Sequence, residues 1–370
     1  MNEEAVETPK KRKKRWWIPL IIVSASLTTL IGGGILGGFV AAQAVISSLF
    51  DKRQSSLEDL TAKKEHIAHK SQADYPLLAN PSTMSVTSNG NALYGHYFAP
   101  NVEAKGLVVS VHGLGGMSEG VNSGMNAYFV EQGWGVLALD LTSSGASEGE
   151  SIDSMAQSAY DVAAFLNALP TFADFYIPTN RVCLLGHSMG AYGALASLDL
   201  LSENIFVDRV CSLAGFDDPS EEMMAIARKK VGFLADMTSF TFRWALDTRE
   251  VRYVPIASLA LMAHPSVTAL LVQGDQDQTV PDSVSVYRQA QIRNVPNAEY
   301  LSLENRDHHR LWFSDESERY YKSVCEPAYE SLGEDASAFA AWVEENNAKE
   351  QSSQWNLPLL ERIETFFEAD

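Results

Sequence analysis

The stretch Val182 to Ala194, VCLLGHSMGAYGA, changes character within a few residues. An apolar run suited to a buried strand breaks at Gly186-His187-Ser188-Met189-Gly190 and resumes as a small-residue helical run. Glycines two places either side of Ser188 suit a turn so sharp that side chains there would collide with neighbouring backbone. Such a turn lifts the Ser188 hydroxyl clear of a sheet. A serine hydroxyl alone is a weak nucleophile, so a catalytic reading requires a base, an orienting carboxylate and oxyanion donors elsewhere in the chain.

From Pro81 onward, short β-rich runs alternate with helical patterns, which predicts an α/β fold: a mostly parallel central sheet flanked by helices. MSVTSNGNALYGHYFAP predicts a hairpin about Asn89-Gly90. GLVVSVHGLGG, GWGVLALD, RVCLLGHSMG, DRVCSLAGF, SVTALLVQGDQD and AEYLSLEN read as successive strands, with SMAQSAYDVAAFLNAL an amphipathic helix. With 370 residues, 46% of them hydrophobic, the chain can build one large core or two modest ones. About fifty residues separate LAGF from SVTALL, too many for a plain connection, and predict a helical cap at about 217–262. Its Met and Phe residues either line a pocket or fasten the cap to the sheet. Cys183, Cys211 and Cys325 have no CxxC spacing and read as small buried hydrophobes.

The candidate chemistry sits where strands end. After VVSV comes His112-Gly113-Leu114-Gly115-Gly116, whose glycines let backbone N–H groups face a substrate oxygen; Leu114 and Met189 N–H are the candidate oxyanion pair. An elbow of this type takes its partners in the chain order serine, acid, histidine. The histidines that follow the acid candidates are His308 and His309; spacing from the preceding strand favours His308, with His309 the alternative. His112 and His187 read as turn and packing residues, and His264 as a cap at a strand start. For the acid, Asp275 and Asp277 end an apolar strand, with Asp277 preferred, and Asp217 or Asp218 one strand earlier is the alternative.

On HGLGG, DLTSSGASEGES, GHSMG, GDQDQTVP and DHH, the chain from Pro81 to Asp370 resembles an α/β-hydrolase-fold serine hydrolase, and GHSMG is similar to the elbow of monoacylglycerol-lipase-like and lysophospholipase-like members. The resemblance implies Ser188 as nucleophile, Asp277 as acid and His308 as base. The second motif resembles the family's Asp-x-x-Gly-x-Gly-x-Ser-x-Gly segment through Asp140, Gly145, Ser147 and Gly149, with Ser143 departing from the usual glycine. Arg306-Asp307 likewise stands where many members have glycine.

The N-terminal region reads as an address. Residues 10–15 are KKRKKR, and from Trp16 to Phe50 no residue is charged, a run longer than the roughly 20 residues that cross a bilayer. The expectation is a basic cytoplasmic tail at 1–15, one transmembrane signal-anchor at 16–50, a stalk at 51–80 and an extracytoplasmic hydrolase domain at 81–370 on the cell membrane. Ala42-Gln43-Ala44 offers the alternative of a cleaved signal peptide, whose apolar cores run to roughly 7–15 residues. Gly32 to Gly38 contains small-xxx-small spacing, which leaves the oligomeric state open. His66 and His69 in the stalk read as a solvated helical face.

The formal net charge of −19 is more acidic still beyond the basic cluster, which argues against nucleic acid as a partner. No ligand cluster or phosphate-binding fingerprint implies a metal or cofactor. The expected function is a membrane-anchored serine hydrolase of carboxylic esters, acting on a small-molecule ester or lipid-like substrate. An acyltransferase or peptidase with the same triad, or a non-catalytic surface binding module, are the alternatives.

Overall fold

Among the described residues, eight strands form one sheet: β1 (Ser82–Ser88), β2 (Asn91–Phe98), β3 (Leu107–Val111), β4 (Gly135–Leu139), β5 (Val182–His187), β6 (Arg209–Leu213), β7 (Thr268–Gly274) and β8 (Ala298–Leu303). The computed structural model describes residues 35–175, 177–237, 239–249 and 253–369. The spatial order is β1-β2-β4-β3-β5-β6-β7-β8, so β5 with its GHSMG turn lies near the centre. β1 and β2 pair antiparallel about Asn89 and Gly90, both at positive φ, as the Asn-Gly dipeptide requires. β2 is antiparallel to β4, and from β4 across to β8 every pairing is parallel.

The central strands are apolar on both sides because both faces are covered. Leu107, Val109 and Val111 of β3 join Leu184 of β5 on one face, while Val108, Cys183 and Leu185 pack into the other. That period of two uses Cys183 and Cys211 as buried small residues; all three cysteines are free and buried.

The longer helices are α1 (35–50), α2 (Ser123–Glu131), α3 (Gln157–Ala168), α4 (Met189–Ala196), α5 (Pro219–Val231), α6 (Ser239–Asp247), α7 (Ala257–Ala263), α8 (Val286–Arg293), α9 (Ala336–Glu345) and α10 (Leu357–Glu368). α2 and α10 cover one face; α3, α4 and α8 cover the other. The expected cap is α5 to α7, inserted between β6 and β7. Its Met223, Met224 and Phe242 are buried in the sheet-side core, whereas Phe233, Phe240 and Trp244 are exposed. Met223, Met224 and Phe242 thus fasten the cap to the sheet.

The first part of the expected membrane span, 16–34, lies outside the described residues. The remainder is α1, and among the described residues no helix is long and apolar enough to cross a membrane. Ala42, Ile46 and Phe50 of α1 are buried in the sheet-side core. Its polar face meets the cap: Gln43 donates to the Ala245 carbonyl at 3.3 Å, and Arg249 donates to Ser47 Oγ at 2.8 Å and to Asp51 at 2.7 Å.

The stretch read as a stalk is packed rather than extended. Arg53 donates to the carbonyls of Gly145 (2.6 Å) and Ser147 (2.9 Å), and Gln54 N–H to that of Ser143 (2.9 Å). His66 and His69, expected on a solvated face, are buried; the His69 ring stacks on Phe313 with centroids 5.4 Å apart. The reason is tertiary: their helical spacing is the same whether the covering surface is water or protein, and residues near 313 and 321 provide that surface.

Candidate active site

The turn after β5 follows from its two glycines. A Cβ at Gly186 would fall on the carbonyl oxygen of Gly190, and one at Gly190 on that of Val111. Between them Ser188 takes φ 55°, ψ −119°, a conformation that costs about 1–3 kcal/mol for a side-chain-bearing residue and marks functional positions. The strain is held by Ser188 N–H donating to the Leu213 carbonyl at 2.9 Å and by α4 beginning at once. The hydroxyl is thereby raised at the carboxyl edge of the sheet.

Two loops from later strands meet it. Ser188 Oγ lies 2.9 Å from His308 Nε2, and His308 Nδ1 lies 2.8 Å from Asp277 Oδ2. Asp277 follows β7 and His308 follows β8, so three strand ends build one hydrogen-bonded chain. The Asp277 carboxylate is fixed on every side: Oδ1 accepts from Thr279 and Val280 N–H, both at 2.8 Å, and Oδ2 accepts from Gln273 Nε2 at 2.9 Å. This network assigns the His308 proton to Nδ1, leaving Nε2 free to accept from the serine.

The alternatives lie elsewhere. Asp217 pairs with Arg293 at 2.6 Å and accepts from Ser258 N–H, and Asp218 caps α5 through Ser220 N–H. Asp275 is exposed. His309 lines the same pocket with its ring 5.2 Å from that of His308, and among the described residues it makes no hydrogen bond to Ser188. Arg306-Asp307 fits the loop in place of glycine because Arg306 turns inward, donating to the carbonyls of Arg310 and Phe313, both at 2.9 Å.

Leu114 and Met189 flank Ser188 in the pocket wall. Met189 is the first residue of α4, so its N–H has no partner within the helix. The Asp140 segment braces the opposing loop: its carboxylate accepts from Ser118 N–H (2.7 Å) and Ala146 N–H (2.9 Å), and its carbonyl from Ser147 Oγ (2.6 Å).

Sequence reasoning gave His187 a packing role, and it does pack, but directly behind the base. Its Nε2 donates to the His308 carbonyl at 2.8 Å and its ring stands against His308 and Trp312. Burial first, and then neighbouring His308, lower its pKa to about 3, so it stays neutral at physiological pH. His112 is buried and bridges Gly113 and Leu141, as a turn residue should. His264 ends α7 instead of starting a strand, with its ring toward Asp199.

Residues that carried no legible signal also reach the site. Ser55 Oγ donates to the Gly116 carbonyl at 2.6 Å, tying the N-terminal segment to the glycine loop. Glu65 and His66 line the pocket, Glu65 in an ion pair with Arg310 at 2.8 Å. Glu222 enters from α5. The cavity measures about 250 Å³. Among the described residues no cluster of three His, Cys, Asp or Glu is placed to hold a metal ion.

Six adjacent strands paired in parallel with an antiparallel pair at one edge, an elbow serine after β5 and a helical insertion after β6 define the α/β-hydrolase fold. A family model described as serine aminopeptidase, S33, matches residues 102–258, from the strand before the glycine loop into the cap. Among solved structures, the chain is similar to an esterase of Pyrococcus furiosus, Pf2001, at 18% identity and TM-score 0.44, covering 69% of this chain and 90% of that one. It is also similar to Est1E of Butyrivibrio proteoclasticus at 16% identity and TM-score 0.43, covering 68% and 98%. A puromycin-hydrolyzing peptidase of Mycobacterium tuberculosis aligns at 20% identity and TM-score 0.46, covering 63% of this chain and 36% of that one. No curated protein matches the chain.

Proposed function

We propose that this chain is a serine hydrolase that cleaves carboxylic esters through an acyl-enzyme on Ser188. The observation that carries the reading is the chain of contacts Ser188 Oγ to His308 Nε2 (2.9 Å) and His308 Nδ1 to Asp277 Oδ2 (2.8 Å) at the floor of a pocket. As Ser188 Oγ attacks the substrate carbonyl, His308 Nε2 takes its proton, and Asp277 stabilises the resulting imidazolium. The oxyanion is received by the N–H groups of Leu114 and Met189, each such donor contributing roughly 3–4 kcal/mol in related chemistry. His308 returns the proton to the leaving alcohol. It then takes one from water, which attacks the acyl-enzyme, and returns it to Ser188 Oγ as the acyl–oxygen bond breaks and the acid is freed.

The cavity of about 250 Å³, lined in large part by Leu114, Met117, Met155, Met189 and Phe216, suits a small ester or one end of a lipid-like one. Fluorophosphonate labelling of the full chain tests the reading. Ser188→Ala and His308→Ala should each abolish labelling and lower ester turnover by roughly 10⁶-fold while the thermal midpoint holds. Near-wild-type labelling of Ser188→Ala would refute it. Peptidase action is a second reading, supported by the description of the matched family model. Amino-acid p-nitroanilides turned over faster than the matching esters would favour it.

The uncharged run preceding α1, behind six basic residues, supports an uncleaved anchor holding the domain outside the cytoplasmic membrane. Protease added to intact cells should then remove the hydrolase domain. A mature chain beginning near Val45 in the medium would instead establish a cleaved signal peptide.

A further inference from the structure

Two acidic side chains of the pocket lie outside the triad: Glu65 is paired with Arg310, and Glu222 is not paired with a cation among the described residues. Glu222 lies in the first turn of α5, is only 2% exposed, and lines the same cavity as Ser188. Its Oε2 is buried and has no hydrogen-bond partner among the described residues. Leaving such an atom unpaired costs about 1–3 kcal/mol, so a chain that keeps one in the wall of the cavity that holds Ser188 invites a partner from outside. Asp277 cannot be that partner, since its own oxygens are taken by Gln273, Thr279, Val280 and His308. Of the apolar residues lining the same cavity, Ile226 lies one helical turn along α5 and Phe216 just before that helix, and neither side chain offers a hydrogen bond.

Resting on the ester-hydrolase reading, we propose that Glu222 is a substrate-recognition residue, and that the substrate is an ester carrying a hydroxyl group within reach of its carboxyl. A hydroxyl both donates and accepts, so it satisfies the carboxyl without placing a charge in the apolar wall. Burial first, and then the nearby Asp277 charge, raise the Glu222 pKa to about 8, so at neutral pH the group is predominantly a neutral acid suited to a neutral partner. An ammonium-bearing substrate would require that proton to leave first.

The test compares kcat/KM at pH 7 for isosteric esters. Methyl 3-methylbutyrate, methyl 3-hydroxybutyrate and methyl 3-aminobutyrate vary one branch on the acyl side, and propyl and 2-hydroxyethyl butyrate vary the terminal group on the alcohol side. The wild type should favour the hydroxylated member of one pair by about tenfold or more. Glu222→Gln should keep most of that ratio, and Glu222→Leu, shown folded by circular dichroism, should bring it to unity or below. Equal rates for both members of both pairs in the wild type overturn the proposal, as does a Leu variant with an unchanged ratio. Preference for the amino ester overturns it in favour of an ammonium subsite. Absence of both fluorophosphonate labelling and ester turnover in the wild type would overturn the hydrolase reading itself, and this proposal with it.

Discussion

The sheet edge and the N-terminal strap flank one pocket but are held there by different means. Ser188, Asp277 and His308 stand on turns at strand ends, and their supports are largely backbone: Leu213 carbonyl for Ser188, and Thr279 and Val280 N–H for Asp277. The strap, residues 51–69, is fixed chiefly by side chains reaching far along the chain: Arg53 to the 145–149 loop, Ser55 to Gly116, Glu65 to Arg310. Backbone supports follow from the strand pairing and survive most substitutions. Side-chain supports depend on individual partners, each worth about 0.5–1.5 kcal/mol, or 1.5–3 where charged. The strap should therefore be the tunable wall of the pocket.

Of the changes that tell the two regions apart, the largest separates position from charge at the sheet edge. Asp277→Asn should cut ester turnover by about 10⁴, because the amide favours the wrong His308 tautomer. Asp217→Asn should leave turnover near wild type and lower the thermal midpoint, since that carboxylate serves Arg293 and Ser258 instead. The reverse pattern in the two variants would move the acid to the preceding strand.

The strap should respond more mildly. Arg53→Ala combined with Ser55→Ala frees the glycine loop at Gly116 and should lower kcat by roughly tenfold, about 1.4 kcal/mol, with KM for small esters little changed. Unaltered kcat would mean that the glycine loop holds its geometry without the strap.

The smallest effect concerns acid stability. Burial lowers the His69 pKa to about 3, below its unfolded value near 6.5. Between those values the unfolded chain binds a proton that the folded site refuses, so stability is present above about pH 6.5 and is lost as pH falls. On passing from pH 7 to pH 5.5, His69→Phe should gain about 1 kcal/mol relative to wild type in denaturant unfolding. A constant difference across that range would show that His69 is not held neutral by burial.

The sequence by itself determined whatever short-range sterics dictate. The Asn89-Gly90 hairpin, the order of β-rich runs and the glycines at 186 and 190 are constraints of a few residues, and each has the expected backbone in the structure. His308 and Asp277 were legible as candidates because both follow apolar strands at the same sheet edge. Spacing from the preceding strand favoured His308 over His309, a difference of one residue in a loop, and in the fold it is the His308 ring whose Nε2 lies 2.9 Å from Ser188 Oγ. The packed strap, by contrast, was illegible. Polar residues with scattered apolar positions read alike on a solvated stalk and under a protein surface, and only the loops at 143–149 and 310–321 distinguish the two. Glu222 carried no signal either: one acidic residue in a helix's first turn is ordinary. Its meaning arises when the helix lowers that turn into a pocket where, among the described residues, no neighbour satisfies Oε2. Local geometry is written in adjacent residues, whereas burial belongs to the surface that closes over them, which is assembled from the whole chain.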